Sequence, residues 1–166
     1  MSMKYAIVYS SRTGNTRLLA DEIHALLAGQ DVVYFGEPSE KALDAQYIYV
    51  GFWTDKGTCD ENIAAFLKQI TTQKIFLFGT AGFGGSEDYF AQIISRVAEQ
   101  INPSAQVVGT YMCQGKMPEG VRRRYEAMPE SPQKQTFLRN FDEALSHPNE
   151  ADLNRCRNAV LSVHSV

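Results

Sequence analysis

Three stretches of the chain are apolar without alternation: Tyr5 to Tyr9, Tyr47 to Trp53, and Lys74 to Gly79. An alternating strand keeps one face wet, whereas a continuous apolar run is buried on both faces and belongs to a parallel sheet covered by helices. Asp31 to Phe35 and Gln106 to Met112 follow the same pattern less fully and are predicted as the second and fifth strands in chain order. Between the runs the period changes from two to 3.6. Leu19, Ile23, Leu26 and Leu27 share one helical face, as do Ile63, Phe66, Leu67 and Ile70, and a third stripe joins Phe90, Ile94, Val97, Ala98 and Ile101. Each predicts an amphipathic helix lying on the sheet.

Elsewhere the pattern is weaker. Residues Gly36 to Ala45 carry too few apolar positions for a regular helix and read as a short helix or a loop. After the fifth strand, Gln114 to Pro132 holds three prolines and two glycines around one short predicted helix, Val121 to Met128. Phe137, Leu138, Phe141 and Leu145 predict a further helix that Pro148 ends, and a last one, marked by Leu153, Cys156, Val160 and Leu161, runs from Glu150 to about Val163. Alternating strands and helices joined by right-handed crossovers predict an α/β fold, a doubly wound five-stranded parallel sheet of order 2-1-3-4-5 in three α/β/α layers. In such a sheet ligands bind beyond the carboxyl ends of the strands, at the switch point between strands one and three. The loops after strands one, three and four are expected to meet there.

A length of 166 residues without repeats or low-complexity segments fits one domain, 1–166, with one core. No apolar run approaches the roughly 18 residues of a membrane span, and the chain enters its first strand too early to accommodate a signal peptide, so a cytoplasmic protein is expected. Cys59, Cys113 and Cys156 are odd in number, widely spaced and without a C-x-x-C pair, which predicts reduced thiols rather than disulfides or a metal site. The formal net charge of -3 argues against nucleic acid and favours basic protein partners.

The candidate chemistry lies in the three loops. Ser10-Ser11-Arg12-Thr13-Gly14-Asn15-Thr16 runs straight into the first helix. Unpaired N–H groups and the helix dipole favour a phosphate at such a start, hydroxyl and amide side chains add donors, and a glycine lets the backbone approach; the plainer reading is an ordinary N-cap by Thr13 or Asn15. The G-x-x-x-x-G-K-[ST] and G-x-G-x-x-G loops are absent, as are the acidic cluster of a receiver domain and the cysteine of a small tyrosine phosphatase. The second loop, Phe52-Trp53-Thr54-Asp55-Lys56-Gly57-Thr58-Cys59-Asp60, brings the only tryptophan, which reads either as a ligand-facing ring or as the last buried residue of its strand. In the third, Gly79-Thr80-Ala81-Gly82-Phe83-Gly84-Gly85-Ser86-Glu87-Asp88-Tyr89, four glycines surround one phenylalanine. A phosphate cradle beside two aromatic, glycine-bearing loops suits flavin mononucleotide, FMN, which joins a phosphate monoester to a flat ring.

Ser11-Arg12-Thr13-Gly14-Asn15-Thr16 resembles the phosphate loop of the flavodoxin family, T/S-x-T-G-x-T, and Gly79 to Gly84 resembles the family's second ring-binding loop, with Phe83 where members carry a stacked Trp or Tyr. The resemblance spans roughly residues 3 to 146, with the last helix as an addition. Arg12, the poorly matching second loop and the segment from Cys113 to Pro118 depart from the family pattern and suggest a variant subgroup. Trp53, Asp55 or Lys56 fits the first stacking position, Trp53 being favoured. The resemblance implies a monomeric electron carrier whose FMN cycles through its one- and two-electron reduced states, serving a reductase and an acceptor enzyme. Gly57 would offer its carbonyl to the reduced ring, and Asp55, Asp60, Glu61, Glu87 and Asp88 would ring its edge and steer basic partners. The plainer reading makes Glu61, Glu87 and Asp88 helix-start residues, and Arg122-Arg123-Arg124 a solvated helix face. Two other functions stay open: an FMN-dependent NAD(P)H:quinone or azo reductase, and a ligand-sensing or scaffold domain without flavin.

Overall fold

In the structure, a computed structural model that describes residues 2–84 and 86–163, the three apolar runs form the middle of the sheet. Gly85, the last glycine of the third loop, lies outside the described residues. Strands β1 (Lys4–Tyr9), β2 (Asp31–Gly36), β3 (Tyr47–Asp55), β5 (Lys74–Ala81) and β6 (Gln106–Gln114) run parallel in the order β2-β1-β3-β5-β6. This is the expected 2-1-3-4-5 arrangement. A sixth strand of two residues, β4 (Thr58–Cys59), folds back antiparallel on the end of β3. Two residues are too few to show a period. The hairpin is made instead by its turn: Lys56 and Gly57 both have positive φ, 54° and 86°, as a tight two-residue hairpin requires.

Helices α1 (Asn15–Leu26), α2 (Glu61–Leu67), α3 (Glu87–Ala98) and α6 (Glu150–Val163) cover the sheet. Successive strand residues point to opposite faces, and both faces are apolar. Ala6, Val8, Ile48, Val50, Ile75 and Leu77 pack beneath Ile63 and Phe66 of α2 and Ile93 and Val97 of α3. Tyr5, Ile7, Tyr47, Tyr49, Phe76 and Phe78 pack beneath Leu19 and Ile23 of α1 and Cys156 and Val160 of α6. The last helix, read from the sequence as an addition, thus completes the layer that α1 begins.

Two further helices, α4 (Glu119–Glu126) and α5 (Pro132–Ala144), lie between β6 and α6 in the chain. The segment Gly36 to Ala45 holds a 3-10 turn, Glu40–Asp44, started by the Ser39 hydroxyl accepting from the Lys41 N–H. Two apolar expectations fail at helix ends. Leu145 lies one residue past α5 and is 52% exposed, and Leu161, near the end of α6, is 45% exposed. Leu145 has left its helix, and Leu161 turns to solvent beside the fully buried Val160, on the side of α6 away from the sheet.

The glycine of the third loop that precedes Thr80 belongs to the core. A Cβ at Gly79 would come within 2.4 Å of the Phe52 ring on the neighbouring strand, its direct register partner. Phe52 is accordingly fully buried.

Candidate functional site

Strands β1, β3 and β5 end side by side, with Tyr9 opposite Gly51 and Trp53 opposite Thr80, so their loops meet at one edge of the sheet. They enclose a pocket of about 340 Å³, near the lower bound of small-molecule sites. A larger cavity of about 720 Å³ lies between α3, β6 and the start of α6. Of its charged groups, Asp152 accepts from His147 Nδ1 at 2.6 Å and Arg155 Nη2 at 2.8 Å, while Glu87 belongs to the exposed first turn of α3. The strand ends therefore carry the candidate site.

The first loop divides three ways. Arg12, Thr13 and Asn15 line the pocket. Gly14 caps α1 in the left-handed conformation, φ 91°, which suits glycine, and no side chain caps the helix. The plainer alternative, a cap by Thr13 or Asn15, is not formed, and the helix start faces the loop without a capping side chain. The remaining hydroxyls point elsewhere. Ser11 Oγ accepts from the Arg17 N–H at 3.3 Å. Ser10 is buried, donates its backbone N–H to the Gly51 carbonyl at 3.0 Å and lines a separate cleft with Glu37 and Ser39. Thr16 is fully buried, donating to the Phe52 carbonyl at 3.0 Å and accepting from Thr80 Oγ1 at 3.1 Å. Ser10, Ser11 and Thr16 thus tie the loop to the scaffold, and their hydroxyls are not aimed into the pocket as the sequence reading had them.

Thr13 Oγ1 and Asn15 Nδ2 also have a partner, the carbonyl of Lys116, at 3.3 and 2.8 Å. Lys116 N–H in turn donates to the carbonyl of His147 at 3.0 Å. The segment after β6 is therefore stitched between the first loop and the approach to α6. Asn15 Oδ1 and, in the second loop, Thr54 Oγ1 are buried polar atoms without a hydrogen-bond partner.

In the second loop Trp53, Thr54, Asp55, Lys56 and Gly57 line the pocket, while Phe52 contributes only its carbonyl. Trp53 is half-buried, and the Arg12 guanidinium sits 5.4 Å from its ring centre. The Gly57 carbonyl, expected to serve the ring of a cofactor, is held by Arg96 Nη1 of α3 at 3.1 Å. In the third loop Thr80, Ala81, Gly82 and Phe83 line the pocket, whereas Gly84 packs behind it against Gln114. This loop is pinned, because the Gly82 carbonyl accepts from Gln114 Nε2 at 3.0 Å and Asn140 Nδ2 at 3.1 Å. Phe83 meets Phe137 of α5 edge-on, ring centres 5.4 Å apart.

The sequence reading missed one wall. Lys116, Met117, Pro118, Val121, Arg124 and Tyr125 line the pocket beside the three loops, the third of which adds Tyr89 at its end. The departure of residues 113–118 from the family pattern was the available clue. Only the fold brings that segment, about a hundred residues later in the chain, onto the first loop.

The charge of the site also differs from expectation. Asp60 is buried and caps α2, accepting from the Ile63 and Trp53 N–H groups, and burial pushes its carboxyl above the ordinary value despite those bonds. Glu61, Glu87 and Asp88 sit in the first turns of α2 and α3, where a carboxylate complements the helix dipole. Of the five expected carboxylates only Asp55 lines the pocket, and around it stand the exposed cations Arg12, Lys56, Lys116 and Arg124. The cysteines are free and buried, and burial raises their thiol pKa values, to about 11 for Cys59 and about 12 for Cys156. Among the described residues no group of His, Cys, Asp and Glu could hold a metal ion, and no helix is long and apolar enough to cross a membrane.

Comparison with known proteins places these features in context. Residues 6–161 match the Flavodoxin domain family. The chain is 40% identical over 181 aligned positions to a flavodoxin-like domain-containing protein, BilS, of Clostridium symbiosum, covering 96% of this chain and 95% of that one. The fold is similar to oxidised Flavodoxin 2 of Bacillus cereus, with a TM-score of 0.59 and 20% identity over 96% of this chain and 97% of the other. It is also similar to a Lactobacillus acidophilus flavoprotein solved in complex with FMN, with a TM-score of 0.51 and 16% identity over 67% and 93%.

Proposed function

Because the chain belongs to the flavodoxin family, we propose that it is an FMN-binding electron-transfer protein, passing single electrons between a reductase and an acceptor enzyme. The observation that carries this reading is one pocket in which the helix start of α1 and Arg12 adjoin the rings of Trp53, Phe83, Tyr89 and Tyr125. The residues present fit the cofactor. Positive charge and backbone N–H groups at the start of α1 suit a phosphate monoester, with Thr13 and Asn15 as added donors once they release the Lys116 carbonyl. The orphaned Asn15 Oδ1 and Thr54 Oγ1 are polar atoms of lining residues that a bound polar ligand would serve. Trp53 and Phe83 supply flat apolar surface for a ring, and the pinned third loop holds Phe83 in place without a cost in loop ordering.

FMN supplies the reversible uptake of one or two electrons. The chain's contribution is to bind the phosphate, exclude water from the ring and set the charge around it. With cations rather than carboxylates at the mouth, the faces that suit it on a reductase or an acceptor are acidic, the reverse of what the net charge implied.

Titrating the protein with FMN tests this. Flavin absorbance that travels with the chain and quenching of the single tryptophan, Trp53, are the expected results. A colourless protein whose fluorescence ignores FMN overturns the reading in favour of a domain without flavin. Rapid bleaching of the loaded protein by NADPH with no reductase present would instead mark a self-sufficient reductase.

A further inference from the structure

The exposed cations at the pocket mouth are notable for having no carboxylate partner. Arg122 pairs with Glu126 at 2.9 Å and Asp142 at 3.1 Å, and Lys4, Arg17, Lys134, Arg155 and Arg157 also have carboxylate partners. Arg12, Lys56, Lys116 and Arg124 form no ion pair among the described residues, yet all four line the same pocket, against the one carboxylate of Asp55. This concentration stands on a chain whose formal net charge is -3. A phosphate dianion at the start of α1 offsets part of it and leaves the pocket with net positive charge.

A cavity of about 340 Å³, taken as a sphere, is narrower than the roughly 10 Å over which 0.1 M salt screens a charge. Each cation at its mouth therefore acts on whatever occupies it. A flavin ring is neutral when oxidised. On taking two electrons from a low-potential reductant and one proton from water, it becomes a monoanion. The four cations favour that product over the oxidised ring.

Resting on the proposed FMN site, we propose that Arg12, Lys56, Lys116 and Arg124 make this chain bind fully reduced flavin more tightly than oxidised flavin, so that the bound cofactor is easier to reduce than the free one. An acidic rim, as the sequence reading had it, would do the opposite. By linkage, the ratio of the two dissociation constants is the shift in the two-electron equilibrium. The acceptors such a carrier serves are then ones that do not demand the strongest reducing power.

The test measures that ratio. The protein is titrated anaerobically with oxidised FMN and with dithionite-reduced FMN, following Trp53 fluorescence, for the wild type and for R12Q, K56Q, K116Q, R124Q and D55N. K68Q, on the exposed end of α2, serves as a remote control. The wild type should favour reduced FMN. Each lost cation should lower the preference by roughly 1.5- to 5-fold, the range for exposed charges. D55N should raise it, K68Q should leave it alone, and high salt should compress all the differences. The phosphate is common to both ligands, so a weakened phosphate site in R12Q cancels from the ratio. A ratio at or below one in the wild type, or the same ratio in every variant while oxidised FMN still binds, overturns the inference. Failure to bind oxidised FMN at all removes the electron-carrier reading, and this inference with it.

Discussion

At the scale of single residues, Asp152 is a buried carboxylate held by several donors. It is 3% exposed and accepts from the Asn149 N–H at 2.8 Å, from His147 Nδ1 and from Arg155, while its own N–H donates to Asn149 Oδ1 in a reciprocal cap at the start of α6. Burial alone would raise its pKa, but these donors outweigh burial and hold it below the ordinary 3.8. A depressed carboxylate pKa contributes stability that is present above 3.8 and lost as pH falls through the folded value. Asp152→Asn should cost about 1–3 kcal/mol at neutral pH by urea denaturation, because it leaves buried donors poorly paired. The same substitution should flatten the acid limb of the stability profile below the ordinary carboxylate pKa. An acid limb as steep as that of the wild type would show that other carboxylates govern it.

Among the elements, α4 and α5 form the wall that the sequence reading did not connect to the site. Helix α4 buries no residue of its own, and it is held through Tyr125 on Phe137, ring centres 5.1 Å apart, and through Arg122 on Asp142. Phe137 also carries Phe83, so one ring supports both the third loop and the helix above it. Because Phe137 is only half-buried, Phe137→Ala should cost about 1–3 kcal/mol, less than the roughly 3–5 kcal/mol of a fully buried phenylalanine. It should also speed amide exchange in α4 while leaving α1, whose Leu19, Ala20 and Ile23 are buried, protected. Hydrogen exchange resolved by segment reads both, and equal acceleration in α1 and α4 would mean that the ring supports the whole fold rather than this wall.

For the whole molecule, the buried thiols give a readout of the closed core. Cys59, Cys113 and Cys156 are buried with raised pKa values, so the reactive thiolate is both scarce and inaccessible. Iodoacetamide should leave all three unmodified in the native protein and alkylate all three in denaturant, as mass spectrometry would show; rapid native labelling of any one would locate an opening of the layers. What the sequence determined by itself was the sheet and the edge where its three loops meet. A central parallel strand must be apolar on both faces, which leaves a mark in five to seven consecutive residues, and the first loop lies wholly between one strand and its helix. Only the tertiary structure decided the rest. Phe52 went to the core and not to the site because the facing strand offers Gly79, a fact of register between strands about 27 residues apart. Thr16 spent its hydroxyl on the scaffold, Lys116 came onto the first loop, and Arg124 joined it in the pocket lining. Local pattern says which face of an element is apolar, but which polar groups meet across a pocket depends on chain closure, and the charge of this site was set there.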